Sequence, residues 1–166
     1  MSNDDLPNPH RLGGLVWILA IQFFVAQAVV QSAWTTPFSL TKNFISDLGN
    51  TKCGSYPTDS SMLVCSPWHA WMNASFILLG LTILLGVVLL RDAFSPGPMR
   101  AVGLGLLAAA GLGHIVVGLF PENVNIAAHQ IGAGLNFIAG NLALGPLGAV
   151  IVPPRVRTAL AGYTIS

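Results

Sequence analysis

The chain has 166 residues, of which 53% are hydrophobic and only 8% are charged, and its formal net charge is +1. A soluble domain carries about a quarter charged residues, so this composition excludes an ordinary soluble globular protein and indicates lipid as the solvent. The small net charge gives no sign of nucleic-acid binding.

Four uncharged runs, each of 20 residues or more, divide the chain. About 20 helical residues span the hydrocarbon core of a bilayer, and an open-ended segment can satisfy its backbone there only as a helix. The sequence therefore predicts an all-α fold, a polytopic transmembrane helical bundle that forms one integral membrane domain over residues 1–166. Its four membrane helices are expected over about 12–33, 67–90, 101–120 and 126–152.

The N-terminal tail, residues 1–11, is predicted to be cytoplasmic. With that orientation five Lys and Arg residues lie on the cytoplasmic side and two lie outside, as the positive-inside rule favours. The multipass chain is then expected in the cell membrane with its 34–66 loop extracytoplasmic. A short interfacial helix is expected within that loop, over 38–48.

The two cysteines of the chain, Cys53 and Cys65, both lie in this loop. An extracytoplasmic compartment is oxidising, so we expect a disulfide between them, with two free thiols as the alternative. At the other end of the chain, residues 158–166 are mildly apolar but too few to span a bilayer. They are expected either to begin a fifth helix or to lie at the membrane surface.

Polar residues within membrane helices are rare and are functional candidates by default. Here they concentrate in the outer halves of the helices and in the connections at the same boundary, whereas the inner halves are almost entirely apolar. This one-sided distribution predicts an outward-facing polar pocket covered by the first loop. The catalytic candidates are Asp47, His69, His129, Glu122 and His114, and the substrate-binding candidates are Asn73, Ser46 and Asn136.

Other interpretations of these residues remain open. Polar side chains often hydrogen bond between membrane helices, and glycine stripes let backbones approach, so Gly111, Gly118, Gly132 and Gly140 are interpreted as packing residues. The histidines and carboxylates could supply zinc ligands, but no HExxH pattern and no i, i+4 histidine pair is present. We therefore expect no metal and no cofactor, with zinc as the alternative.

Four stretches carry a family resemblance, which covers roughly residues 12–152. They are NFISDLGNTKC (43–53), SPWHAWMNASF (66–76), GLFPEN (118–123) and AHQIGAGLNFIAGN (128–141). Together they resemble the uncharacterised multipass membrane family known as domain of unknown function nine-nine-eight. More distantly, the ISD-G loop element and the later histidine-glycine element are similar to the Frag/DRAM/Sfk membrane family.

The resemblance implies a six-helix fold with a cytoplasmic N-terminus, whereas four full membrane helices are visible here. The positions that match the family elements all map to the predicted outer pocket: Ser46, Asp47, Gly49, His69, Asn73, Glu122, His129, Gly132 and Ala133.

Two functions from different classes follow as expectations. In the first, the outer pocket binds or remodels a lipid or a lipid-linked substrate at the outer leaflet, with Asp47 as the charge partner of His69 or His129 and with Glu122 near the mouth. In the second, the chain is a non-catalytic subunit or scaffold of a larger membrane-protein complex, and the motifs only hold the loop onto the helix ends.

Overall fold

A computed structural model describes residues 9–35, 38–56 and 59–151 of the chain. Almost all of its regular structure is helical. The helices are α1 (Pro9–Ile18), α2 (Ile21–Ser32), α3 (His69–Leu90), α4 (Pro98–Leu119), α5 (Ile126–Gly134) and α6 (Gly140–Val150), and a π-helical turn, Leu135–Ala139, joins α5 to α6.

Four helical segments in this part of the chain are long and apolar enough to cross a membrane. They cover Leu12–Ser32, His69–Ala93, Pro98–Leu119 and Ile126–Val150. Both the predicted fold class and the four membrane helices are therefore confirmed. The cytoplasmic location of the N-terminus stays a prediction, and the expectation for residues 158–166 lies outside the described residues.

The first membrane helix is divided in its middle. The apolar residues at that point of the sequence did not predict this division. The backbone N–H groups of Leu19 and Ala20 donate to the carbonyls of Val16 and Trp17, three residues earlier, at 3.0 Å each. Bonds of this 3-10 type tighten the chain between α1 and α2. A reciprocal pair of hydrogen bonds then attaches α2 to α3, because the Gln22 amide exchanges bonds with Ser75 at 2.8 and 3.2 Å.

Glycines let the helices from α3 to α5 approach each other closely. A Cβ atom on Gly80 in α3 would collide with the carbonyl oxygen of Gly111 in α4, and one on Gly113 would lie 2.5 Å from the carbonyl oxygen of Gly132 in α5. Without a strong hydrophobic force between helices in lipid, such close backbone contact supplies much of the packing energy. The interpretation of Gly111 and Gly132 as packing residues is confirmed.

The first loop contains more regular structure than predicted. Strands β1 (Gly54–Tyr56) and β2 (Asp59–Val64) pair antiparallel, and a disulfide between Cys53 and Cys65 closes the base of this hairpin, as expected. Instead of the expected interfacial helix, the preceding segment forms irregular turns and one 3-10 turn, Ile45–Gly49. We call this 3-10 turn the loop turn. It places Leu48, which is fully buried, in the hydrophobic core beside α2, α3 and α4.

Candidate functional site

The loop turn is closed by the carboxylate of Asp47. This side chain is only 2% exposed. Its Oδ2 atom accepts hydrogen bonds from the Phe44 backbone N–H at 3.0 Å and from the Asn43 amide at 3.3 Å. Asn43 in turn accepts from the Ser39 backbone N–H at 2.9 Å. Hydrogen bonds from backbone donors to a carboxylate are strong, so Asp47 fixes the shape of the loop at this point.

Two side chains at the start of α3 hold the loop turn against the bundle. The Ser66 hydroxyl donates to the Leu48 carbonyl at 2.7 Å, and the Asn73 amide donates to the Gly49 carbonyl at 2.9 Å. Gly49 has no room for a side chain, because a Cβ atom there would collide with the Asn73 amide oxygen. Asn73, expected to bind substrate, therefore binds the loop.

A second attachment joins the loop to the connection between α4 and α5. The Asn123 amide exchanges hydrogen bonds with the backbone N–H and the hydroxyl of Thr51, at 3.0 and 2.8 Å. The Asn123 backbone N–H also donates to the buried Asn50 side chain at 3.4 Å. Glu122, beside Asn123, is only 5% exposed. The loop is thus attached both to the start of α3 and to the connection between α4 and α5.

Replacement of Asn73 by leucine is expected to lower the free energy of unfolding by about 1–3 kcal/mol, because it leaves the Gly49 carbonyl without its described donor. Asn141, whose exposed amide donates to the Phe137 carbonyl four residues earlier, provides the matched control. Thermal or denaturant unfolding of both leucine variants in the same detergent measures the difference. Equal losses for Asn73→Leu and Asn141→Leu would contradict this role of Asn73.

Beneath the loop turn lies an open-sided cavity of about 430 Å³, which we call the loop cavity. Its polar lining comes from the loop, α4, α5 and the π-helical turn: Asn43, Ser46, His114, His129 and Asn136. Its aromatic lining comes from α2, the loop, α3 and the π-helical turn: Phe23, Phe44, Phe76 and Phe137. Because His129 and Asn136 are seven residues apart on one helix, the lining extends for about 10 Å along the helix axis.

His114 lies between two phenylalanine rings at the wall of this cavity. Its ring is stacked with Phe76 at a centroid distance of 6.3 Å and meets Phe23 edge-on at 6.2 Å. Its Nδ1 atom is buried and has no hydrogen-bond partner within the part of the chain that the structure describes. A buried polar atom without a partner costs about 1–3 kcal/mol, so this ring nitrogen calls for an explanation.

The other two candidate histidines, His69 and His129, each hydrogen bond to a backbone carbonyl. His129, which is 6% exposed, donates from Nδ1 to the Phe120 carbonyl at 3.0 Å. His69 makes the same kind of bond from Nδ1 to the Ser66 carbonyl at 3.0 Å. A carbonyl oxygen can only accept, so in the neutral ring Nδ1 carries the proton and Nε2 is the acceptor. Of these two histidines, only His129 lines the loop cavity.

The structure brings part of the predicted pocket together. Ser46, His114, His129 and Asn136 share the loop cavity. Four other candidates lie outside its lining: Asp47, His69, Asn73 and Glu122. The first three hydrogen bond within the loop or at the start of α3, and Glu122 is buried in the connection after α4.

Several lining residues were not singled out from the sequence. Phe23, Phe44 and Phe137 are aromatic residues in apolar surroundings, and nothing in their spacing distinguishes them from ordinary lipid-facing side chains. Asn43 lies in the segment 38–48, for which an interfacial helix was expected, so its bond to Asp47 was not anticipated. The π-helical turn that carries Asn136 and Phe137 is a further feature found only in the structure, and such turns often mark functional sites.

The described residues were compared with the requirements of a metal site. Among residues 9–35, 38–56 and 59–151, no group of three or more His, Cys, Asp or Glu side chains is arranged to hold a metal ion.

Comparison with known proteins gives one match. A family profile described as "Protein of unknown function (DUF998)" matches residues 18–165. No curated protein and no solved structure matches the chain.

Proposed function

We propose a lipid-binding function for this chain, which belongs to the family described as "Protein of unknown function (DUF998)". The loop cavity is the binding site, and the ligand is a membrane lipid or lipid-linked substrate of the outer leaflet. The single observation that carries the proposal is the shared lining of this cavity, which combines two histidines, two asparagines and a serine with four phenylalanines.

The position of the polar groups suits an amphiphile. Ser46 lies in the loop and His129 is the fourth residue of α5, so both are close to the end of the membrane span. Phe137 lies eight residues further along the same helical segment, towards the middle of the membrane span, and is 74% exposed on the outside of the bundle. A headgroup near Ser46 and His129 would therefore leave its hydrocarbon chain beside Phe137, in contact with the bilayer.

The same groups define what chemistry a remodelling reaction would use. The Nε2 atom of His129 is the acceptor in the neutral ring, so it is the group that can take a proton from a bound hydroxyl. Asp47 and Glu122 are buried acids near the cavity that do not line it, and of the two Asp47 holds the loop turn through its bonds to Phe44 and Asn43.

The second candidate function is that of a non-catalytic subunit or scaffold. It is favoured by a specific observation: among the residues that carry the family resemblance, Asp47 closes the loop turn through local hydrogen bonds, and Asn73 of α3 donates to the Gly49 carbonyl and so attaches the loop to α3. On this view the loop is a rigid surface for a membrane-protein partner. An unchanged lipid and glycolipid profile in a deletion strain would favour the scaffold over the lipid-binding function.

Filling the loop cavity tests the proposal. Ala133 lines it, so Ala133→Phe places a ring in the space for the lipid, whereas Ala127→Phe puts the same ring on an exposed position of α5 outside the lining. We expect the lipid that co-purifies with each protein molecule to fall about tenfold in Ala133→Phe, equivalent to about 1.4 kcal/mol of binding free energy, and to stay unchanged in Ala127→Phe. Lipid extraction and mass spectrometry of the purified variants measure it.

Two results would contradict lipid binding at this site. One is equal lipid retention by Ala133→Phe and Ala127→Phe, when both elute as folded protein from a sizing column. The other is the absence of any lipid retained above that of a detergent-exchanged control membrane protein.

A further inference from the structure

We propose that the ligand of the loop cavity is an uncharged lipid with a free hydroxyl group, such as a diacylglycerol or a glycolipid, and not a lipid recognised through a phosphate. This inference rests on the lipid-binding function proposed above and names its substrate class. Charge, hydrogen-bond direction and an unpartnered ring nitrogen each support it.

Charge is the first argument. None of the described residues that line the loop cavity is Lys, Arg, Asp or Glu. Lys42 precedes the lining residue Asn43 in the chain, but it is exposed and is not part of the lining. Proteins bind phosphate with Arg or Lys side chains or with free backbone donors, and an ion without such partners is expensive to remove from water. The lining therefore suits a headgroup that carries no charge.

The direction of hydrogen bonding is the second argument. His129 donates from Nδ1 to the Phe120 carbonyl, which leaves Nε2 as an acceptor in the neutral ring. An acceptor needs a donor, and an ionised phosphodiester has none. A hydroxyl group can donate to Nε2 and can also accept from a neighbouring amide such as that of Asn136, which shares the lining.

His114 supplies the third argument. Its Nδ1 atom has no hydrogen-bond partner among the described residues, although its ring lies at the wall of the cavity between Phe23 and Phe76. In a neutral imidazole one nitrogen donates and the other accepts. Nδ1 itself has no exposed surface, so a ligand reaches it only if the imidazole turns about its Cβ–Cγ bond, and a hydroxyl can then donate or accept as the tautomer requires.

A matched set of ligands separates these possibilities. Native mass spectrometry of the full chain in detergent micelles at about pH 9, where a phosphomonoester is fully ionised and has no hydroxyl to donate, would measure the apparent dissociation constants of dioleoylglycerol, its O-methyl ether and dioleoyl phosphatidate. The three share their acyl chains and differ only at the third glycerol carbon. We expect dioleoylglycerol to bind about tenfold more tightly than either of the others, a difference of about 1.4 kcal/mol.

Variants assign that preference to the cavity. His129→Leu and His114→Phe are expected to reduce the preference for the free hydroxyl to about twofold or less, since each removes one polar partner and keeps an apolar ring or chain in its place. Gln130→Leu, an exposed change next to His129, is the matched control and should keep the full preference.

The outcomes distinguish this inference from the proposed function on which it rests. Equal binding of dioleoylglycerol and its methyl ether, or tighter binding of phosphatidate, that is still lost in Ala133→Phe overturns the hydroxyl inference and leaves lipid binding at the cavity intact. Binding that is insensitive to Ala133→Phe overturns both. A preference that persists in His129→Leu and His114→Phe also overturns the inference.

Discussion

Replacement of Gly80 by valine is expected to lower the free energy of unfolding by about 3 kcal/mol, because it separates α3 from α4. A Cβ atom at this position would collide with the carbonyl oxygen of Gly111 and lie 2.6 Å from Cγ1 of Ile115. The first of these atoms belongs to the backbone, so it can yield only if the two helices move apart. That movement would also disturb His114, which follows Gly111 by one turn of α4.

A matched glycine supplies the control. Gly105 lies in α4, one of the same two helices, but a Cβ atom there would meet nothing within 4 Å. Gly105→Val should therefore change the stability by no more than about 0.5 kcal/mol. Thermal unfolding of both variants in one detergent compares them. Similar melting temperatures for Gly80→Val and Gly105→Val would show that the close contact of the two backbones contributes little.

Loss of the disulfide is expected to have a comparable effect on the loop. Cys53 and Cys65 are 12 residues apart, and a bridge that closes a loop of this size contributes about 3 kcal/mol on the chain-entropy model. The double variant Cys53→Ser, Cys65→Ser should unfold at a correspondingly lower temperature. The loop turn should survive in the folded state, because Ser66 and Asn73 hold it independently of the bridge.

A reductant provides the check on this result. The sequence contains only these two cysteines, so a reductant can act on the chain nowhere else. Unfolding with and without reductant should differ for the natural chain and coincide for the double serine variant. A natural chain whose stability is unaffected by full reduction, verified by thiol labelling, would contradict the expected contribution.

The helical part of the fold follows from the sequence because charge is absent over long runs. An uncharged run such as 67–90 can be stable in lipid only as a helix, so its residue types decide its structure without tertiary information. The break at Leu19–Ala20 could not be predicted in this way, because neither residue is a glycine or proline and the residues around them, 15–21, are all apolar. The sequence did not predict the β-hairpin either, because its strands are short and largely polar and show little of the alternation that marks a strand.

The sequence placed the candidate residues at one membrane boundary but could not show which of them share a cavity. Helical spacing shows which residues share a face of one helix, but it cannot show which faces of two helices meet. His114 and His129 converge because Gly113 and Gly132 allow α4 and α5 to touch, a relation between helices that no single run contains. Asp47 was assigned to the predicted pocket because it is charged. Its described bonds to Phe44 and Asn43 are local, and the spacing of Asp47 three residues after Phe44 could have indicated a turn cap.

The double attachment of the loop has a consequence for how a ligand would travel. Ser66, Asn73 and Asn123 hold the loop to both halves of the bundle, so it cannot lift away without breaking all of their hydrogen bonds. We therefore expect a lipid to slide in sideways from its own leaflet, past the exposed ring of Phe137. A molecule that takes this route never passes through water. What sets its occupancy is then its mole fraction in the surrounding bilayer, and an affinity expressed as an aqueous concentration would describe the wrong equilibrium.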